Sequence, residues 1–298
     1  MAEAGAAPAR AGAIHDIGYR HYDGPRLGTS YVRRSLFVET LRGSYGFGRS
    51  ARSKVMPLLL LALMALPAVV IGIVSGALGA TELPLGYTQY VVVLQVAVTI
   101  FVGAQAPAVM SRDLRFRVVP LYFSRPLSRA QYVQAKYAGF ALALFVLMAL
   151  PLLLLLAGAL LAQMPLDEQL PDVARALAGA ALHALVLAGL GLLVAAMTPR
   201  RGLGVAAVVG LLLVLSGVQA AVLGLASEFG STGLAGWSGL LSPFTLVDGV
   251  VRGLLGADPS VGDGPPGTAA AVVFALVVVA VVAGCCLGLL ARYRRALS

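Results

Sequence analysis

Six apolar blocks, about Met56–Gly79, Tyr87–Met110, Tyr137–Leu161, Val173–Met197, Leu203–Leu225 and Thr268–Ala291, dominate this sequence, and each is long enough to cross a bilayer. A crossing takes roughly 20 apolar residues, because a helix rising about 1.5 Å per residue must span a hydrocarbon core about 30 Å thick. Lipid offers backbone N–H and C=O groups no water to pair with, so each block must satisfy its own groups and be a helix. Of the 298 residues 59% are apolar and 12% charged, against roughly 45–50% and 25% in water-soluble domains. The blocks are therefore the bulk of the protein rather than the core of a soluble fold. The expected fold class is an all-α integral membrane protein with six transmembrane helices.

Orientation follows from arginine and lysine, which keep short loops on the cytosolic side. Residues 1–54 carry nine of them, the connection 111–136 six, the fourth connection Arg200 and Arg201, and the tail Arg292, Arg294 and Arg295, together twenty of the 22. The alternate connections hold only Arg175 and Arg252 but eight of the 13 acids: Glu82, Asp167, Glu168, Asp172, Glu228, Asp248, Asp258 and Asp263. An even number of spans with both ends in the cytosol fits every loop. Residues 1–54 show no short apolar core followed by a small-residue cleavage site, so the N-terminus is expected to stay where it is made. The net charge of +9 is then a product of topology and of attraction to anionic lipid heads. The division expected is a cytosolic N-terminal arm over residues 1–54 and a six-span domain over 55–298.

Three connections carry structure of their own. Thr29–Phe47 can form a helix at the membrane surface with Val32, Leu36, Phe37 and Leu41 on its apolar side, although Arg33 interrupts the stripe. The basic arm can touch lipid or dock a protein. Ser111–Lys136 is longer than antiparallel helix neighbours need, and long loops are more often functional than idle. In the outer stretch 227–267, Ser242-Pro243 reads as an N-cap followed by proline at the first helical position. Phe244, Val247, Val251 and Leu254 recur there at helical spacing, with Asp248 and Arg252 four apart. A short external amphipathic helix on or in the outer leaflet is expected before the last span.

Several chemistries lack their residues. A phosphate-binding loop needs a lysine directly after a glycine, yet Lys54 follows Ser53 and Lys136 follows Ala135. No nucleotide, metal or other cofactor is expected on this chain, and if ATP powers it, ATP and Mg sit on another polypeptide. Cys285 and Cys286 are adjacent, without metal-ligand spacing. Gly236-Trp237-Ser238-Gly239 superficially matches an intramembrane serine protease motif, but no histidine follows His183 to serve as base. Ion-driven carriers place charged groups at mid-membrane; here the blocks offer His183, which can shuttle protons or, the favoured reading, donate to a carbonyl of a neighbouring helix. Gln95, Thr99, Gln105, Ser216 and Gln219 can line a path or bond between helices, and the heptad-spaced Gly210, Gly217 and Gly224 permit close contacts. The arginines are spread over separate loops, so no nucleic-acid partner is expected.

Pro120-Leu121-Tyr122-Phe123-Ser124-Arg125-Pro126-Leu127-Ser128-Arg129, continuing through Tyr132 to Lys136, resembles the cytosolic loop of type-2 ABC exporter permeases. Ile17-Gly18-Tyr19-Arg20 with Tyr22-Asp23-Gly24-Pro25-Arg26 is similar to the start of many actinobacterial members. The resemblance implies a permease subunit in the bacterial plasma membrane that moves a substrate outward when coupled to a separate ABC ATPase. It also implies a second permease half, identical or related, and a coupling helix in the second connection that rests on the ATPase. Carried over, that contact involves Arg112, Asp113, Leu114, Arg115, Phe116, Arg117, Leu121 and Tyr122. The local pattern leaves its form open: Leu114, Phe116 and Val118 alternate like a strand, while Leu114, Val118 and Leu121 fit a helical stripe. The resemblance implies the helix. Charge sorting accounts for the arginines of this loop but not for Phe116, Leu121, Tyr122 and Phe123, apolar groups that want burial against lipid or protein. The alternative function is a non-transporting membrane scaffold or sensor that recruits cytosolic partners.

Overall fold

The structure, a computed structural model, describes residues 24, 27–111, 113, 127–198, 200–258, 260, 262 and 264–295. Every regular element among them is helical: α1 (Thr29–Ser44), α2 (Arg52–Leu78), α3 (Tyr87–Val93), α4 (Gln95–Val109), α5 (Arg129–Leu161), α6 (Leu166–Met197), α7 (Arg201–Glu228), α8 (Thr232–Ser238), a single 3-10 turn at Gly239–Leu241, α9 (Pro243–Leu255) and α10 (Thr268–Arg295). The protein is an all-α integral membrane protein. Helices α2, α5, α6, α7 and α10 are each long and apolar enough to cross a membrane, and two bent pairs raise the possible number to seven.

The first pair, α3–α4, bends by 56° at Leu94. It starts beside Gln169, to whose amide oxygen the Tyr87 hydroxyl donates at 2.8 Å, and ends where the Val109 carbonyl meets Lys136. It therefore runs the length of the bundle. The second pair, α8 with the 3-10 turn and then α9, bends by 120°. It follows the end of α7 and leads into Asp258, whose carbonyl accepts from Thr88 near the start of α3. It begins and ends at one end of the bundle, so it dips rather than crosses. Among the described residues Lys136 and Arg292 lie by the ends of α4 and α6, while Glu82, Glu168, Asp172 and Asp258 line one cavity at the opposite end.

The centre of the packing is α5. Ser128 caps its start: the Ser128 hydroxyl accepts from the Gln131 N–H at 3.2 Å, and the Gln131 side chain accepts from the Ser128 N–H at 3.0 Å. The helix thus begins eight residues before the expected Tyr137. Its 33 residues extend about 50 Å, roughly 20 Å more than a hydrocarbon core. At the arginine-rich end α1 packs against α5, burying Leu36, Thr40 and Ser44. Val32, Phe37 and Leu41 are partly buried there too, and Arg33 faces out. A helix is present in the expected stretch, over Thr29–Ser44, and it is seated on a protein face. Tyr45, just beyond it, donates to the Ala143 carbonyl at 2.7 Å; burial holds this phenol above its ordinary pKa.

Close approach along α5 depends on missing side chains. A Cβ on Gly72 of α2 would lie 2.6 Å from the Gly158 Cα, and one on Gly139 would lie 2.7 Å from the Phe37 carbonyl of α1. In lipid, helices gain little from apolar burial against one another and rely on such contacts.

The external helix differs from its expectation in one respect. Ser242 caps α9 and Pro243 opens it, but Pro243 to Val251 are all buried. Rather than lying flat on a leaflet, α9 is enclosed by α6, α10 and neighbouring turns. The expected Asp248–Arg252 ion pair does not close, since the Arg252 guanidinium donates to the Gly262 carbonyl at 3.1 Å.

Gly72→Leu is expected to force α2 off α5 and destabilise the protein by about 1–3 kcal/mol. Gly284→Ala, at a position inside α10 with open space around it, should not lower stability. Thermal denaturation in detergent followed by size-exclusion chromatography measures both.

Candidate functional site

A buried ion pair occupies the arginine-rich end of the bundle. Asp113 follows α4, Lys136 lies two turns into α5, and the Lys136 ammonium sits 2.6 Å from the Asp113 carboxylate. Both residues are buried, at 9% and 6% exposure. A charge removed from water is costly unless it is paired and its other hydrogen-bonding sites are filled. Two further bonds support this pair: the Lys136 ammonium also donates to the Val109 carbonyl at 2.9 Å, and the Tyr132 hydroxyl donates to the same Asp113 oxygen at 2.5 Å. Tyr132 packs on Tyr293 of α10 with ring centroids 5.3 Å apart, and the Tyr293 hydroxyl reaches the Met110 sulfur at 3.1 Å. Beside this cluster Ser111 donates to the Ala195 carbonyl at 2.6 Å, and Arg292 donates to the Ala196 carbonyl at 3.2 Å. One polar junction thus ties the ends of α4, α6 and α10 to the start of α5.

The junction closes the base of the second connection. Of the eight residues that the resemblance assigns to an ATPase contact, the structure describes Asp113 alone; Arg112, Leu114, Arg115, Phe116, Arg117, Leu121 and Tyr122 lie outside the described residues. The Asp113 carboxylate is engaged inside the bundle with Lys136 and Tyr132. Sequence reasoning did not pair these groups, although the signal was there. Asp113 is the one acid between residues 111 and 136, and Lys136 is one of two lysines in the chain. A lysine at the head of an apolar block needs a counter-ion.

The other candidates resolve into packing. The His183 ring nitrogens face the Gly179 carbonyl of its own helix at 2.9 Å and the Phe244 carbonyl of α9 at 3.1 Å. This is the bridging role favoured from sequence. Ser216 meets Ser242 at 3.1 Å, and the Gln105 amide approaches the Met56 sulfur at 3.8 Å, both between elements. Thr99 and Gln219 are buried and Gln95 is half-buried. Ser238 donates to the Ala235 carbonyl at 2.7 Å, so it forms no nucleophile–base pair with His183. Cys285 and Cys286 are free thiols. Among the described residues no three histidine, cysteine, aspartate or glutamate side chains come together as a metal site would need. At the acidic end a cavity of about 330 Å³ opens between Glu82, Glu168, Asp172, Arg175 and Asp258, with Arg175 paired to Asp172 at 2.6 Å.

Fold and junction together describe a polytopic helical membrane protein whose described buried polar groups bond between helices. A family model described as ABC-2 family transporter protein matches residues 73–290, well over half of the chain, and the chain belongs to that family. It is accordingly a transmembrane subunit of an ABC transporter, in a family whose membrane subunits work with an ABC ATPase. No curated protein matches the chain.

Lys136→Met leaves the Asp113 carboxylate buried without its counter-ion and should destabilise the protein by about 3–5 kcal/mol. Adding Asp113→Leu removes the stranded charge and should recover most of that loss. Apparent melting temperatures of the single and double variants in detergent check both expectations.

Proposed function

We propose that the chain is the permease half of an ATP-driven exporter in the bacterial plasma membrane, with both termini cytosolic and the ATPase on a separate polypeptide. The family match over residues 73–290 carries this reading. The charge sorting supports the orientation, since the arginine-rich connections lie at one end. In this reading the second connection, whose two ends meet at Asp113 and Lys136, presents a coupling helix to the ATPase. ATP and Mg bind the partner. ATP-bound ATPases prefer one arrangement of the two permease halves, and that difference in affinity drives the change of access.

A second permease half, identical or related, completes the path. Helix α7 offers a face for it: little of its apolar stretch is buried, and a Cβ on Gly210, Gly217 or Gly224 would meet no atom within 4 Å. Small residues in line let a second helix approach closely.

The experiment is affinity purification in mild detergent, with identification of any P-loop ATPase that accompanies the chain. Phe116→Ala with Tyr122→Ala should release the ATPase, a loss of about 2 kcal/mol or roughly thirty-fold in affinity, while the membrane domain elutes unchanged. If co-purification and ATP turnover stay at wild-type levels, the docking assignment fails. Transport by the purified chain alone, reconstituted in vesicles without any companion, would sink the whole reading.

The bridging geometry of His183 predicts that His183→Ala keeps ATP-dependent transport and costs stability, about 1–3 kcal/mol for the lost buried hydrogen bonding. Loss of transport with unchanged stability would instead favour a proton-coupled carrier.

A further inference from the structure

The turn between α1 and α2 carries a concentration of positive charge. Residues 40–81 contain Arg42, Arg49, Arg52 and Lys54 and no acid at all. Arg42 and Arg52 are exposed and Lys54 is half-buried. The ion pairs Lys136–Asp113 and Arg175–Asp172 do not involve Arg42, Arg52 or Lys54. The turn that groups them is tight. The Phe47 N–H donates to the Arg42 carbonyl at 2.9 Å. Gly46, at φ 75°, packs so closely that a Cβ would lie 2.4 Å from the Ser53 carbonyl oxygen. Arg42 on one side and Arg52 to Lys54 on the other are thereby held around one short bend. The Lys54 ammonium lies 5.8 Å from the centroid of the Phe47 ring, and that ring is itself 48% exposed.

From this bend an apolar stripe runs directly up α2. Leu60, Met64, Ala68 and Gly72 face inward; Val55, Leu59, Leu63 and Leu66 face outward and are all exposed. The stripe from Val55 to Leu66 is about 16 Å long at the helical rise. One leaflet of hydrocarbon is about 15 Å deep. A cationic bend at the foot of a leaflet-length apolar stripe has the dimensions and polarity of one phospholipid, with phosphate at the bend and acyl chain along α2.

We infer that the α1–α2 bend is a binding site for an anionic phospholipid, with Arg42, Arg52 and Lys54 holding the headgroup and Val55, Leu59, Leu63 and Leu66 the chain. Net negative charge on the lipid is required because a zwitterionic headgroup brings its own cation to the same bend. The site is independent of which ATPase, if any, docks elsewhere.

The test places a single tryptophan reporter in the stripe, Leu59→Trp in a Trp237→Phe background, and reconstitutes the protein in nanodiscs. Quenching by chain-brominated phosphatidylglycerol is compared with quenching by chain-brominated phosphatidylcholine. Each basic residue near a surface contributes roughly a five-fold factor, so a preference of about ten-fold or more for the anionic lipid is expected. Arg42→Gln with Arg52→Gln and Lys54→Gln should bring the ratio close to one. Arg33→Gln with Arg34→Gln, exposed charges elsewhere on α1, should keep most of it. Raising salt to about 0.5 M should weaken the preference in the unsubstituted bend, which makes the same test without relying on the variants folding. Soluble glycerol 3-phosphate should not compete, because it lacks the chain. A starting ratio near one, a preference that survives loss of the three charges or falls equally with Arg33 and Arg34, or displacement by glycerol 3-phosphate overturns the inference. Absence of quenching by either lipid does so too, since the stripe is then covered by protein.

Discussion

A peptide group that leaves water for hydrocarbon must take its hydrogen-bond partner with it, and most of this molecule follows from that requirement. It turns every apolar block into helix and extends to side chains as well. The hydroxyls of Tyr45 and Tyr137 donate to the carbonyls of Ala143 and Leu185, and the His183 ring spans two more. The buried ion pair of Lys136 with Asp113 is joined by a phenol and a carbonyl. A lone charge in such surroundings is costly.

The same solvent removes the force that packs soluble helices, because a lipid tail is as apolar as leucine. What remains is close contact and hydrogen bonding. Where glycine faces glycine, as at Gly72 and Gly158, the helices nearly touch. Where small residues face nothing, as along Gly210, Gly217 and Gly224 of α7, the surface is left open. The difference separates helices whose partners lie within this chain from a face still able to accept one.

Hydropathy and charge made the crossings and their two ends legible, and Ser242-Pro243 marked the start of α9 to the residue. The misses have physical reasons. Arg129 and Lys136 depress hydropathy at the head of α5, so the apolar block seemed to begin at Tyr137; the capping pair Ser128 and Gln131 was the better marker. Leu94 carries neither proline nor glycine to announce the bend between α3 and α4. The spacing of Phe244, Val247, Val251 and Leu254 gave one apolar face, and could not reveal that neighbouring elements would also cover the residues between them. The junction was half visible. Asp113 is the one acid and Lys136 the one lysine between residues 111 and 136, but Tyr293 lies 157 residues beyond Lys136 by number and only folding brings it close.

The two ends of the bundle solve one problem by different means. A helix leaves its last carbonyls without intrahelical partners and its C-terminus partly negative. Helices α2, α5 and α7 finish at the acidic end, and each closes on a left-handed residue, Gly79, Gln163 and Gly230. Backbone N–H groups turn back there to Ser75, Ala159 and Ala226, so no side chain is needed. Helices α4 and α6 finish at the other end, where Lys136 takes the Val109 carbonyl, Ser111 and Thr198 take Ala195, and Arg292 takes Ala196. Cations suit those termini electrostatically as well as by hydrogen bonding. Basic residues at this end therefore do more than orient the chain: Lys136 and Arg292 fasten α4 and α6 to α5 and α10. A terminus closed by its own backbone is indifferent to its neighbours, whereas one closed by another helix's side chain moves with that helix. The arginine-rich end is for this reason the mechanically connected end of the bundle.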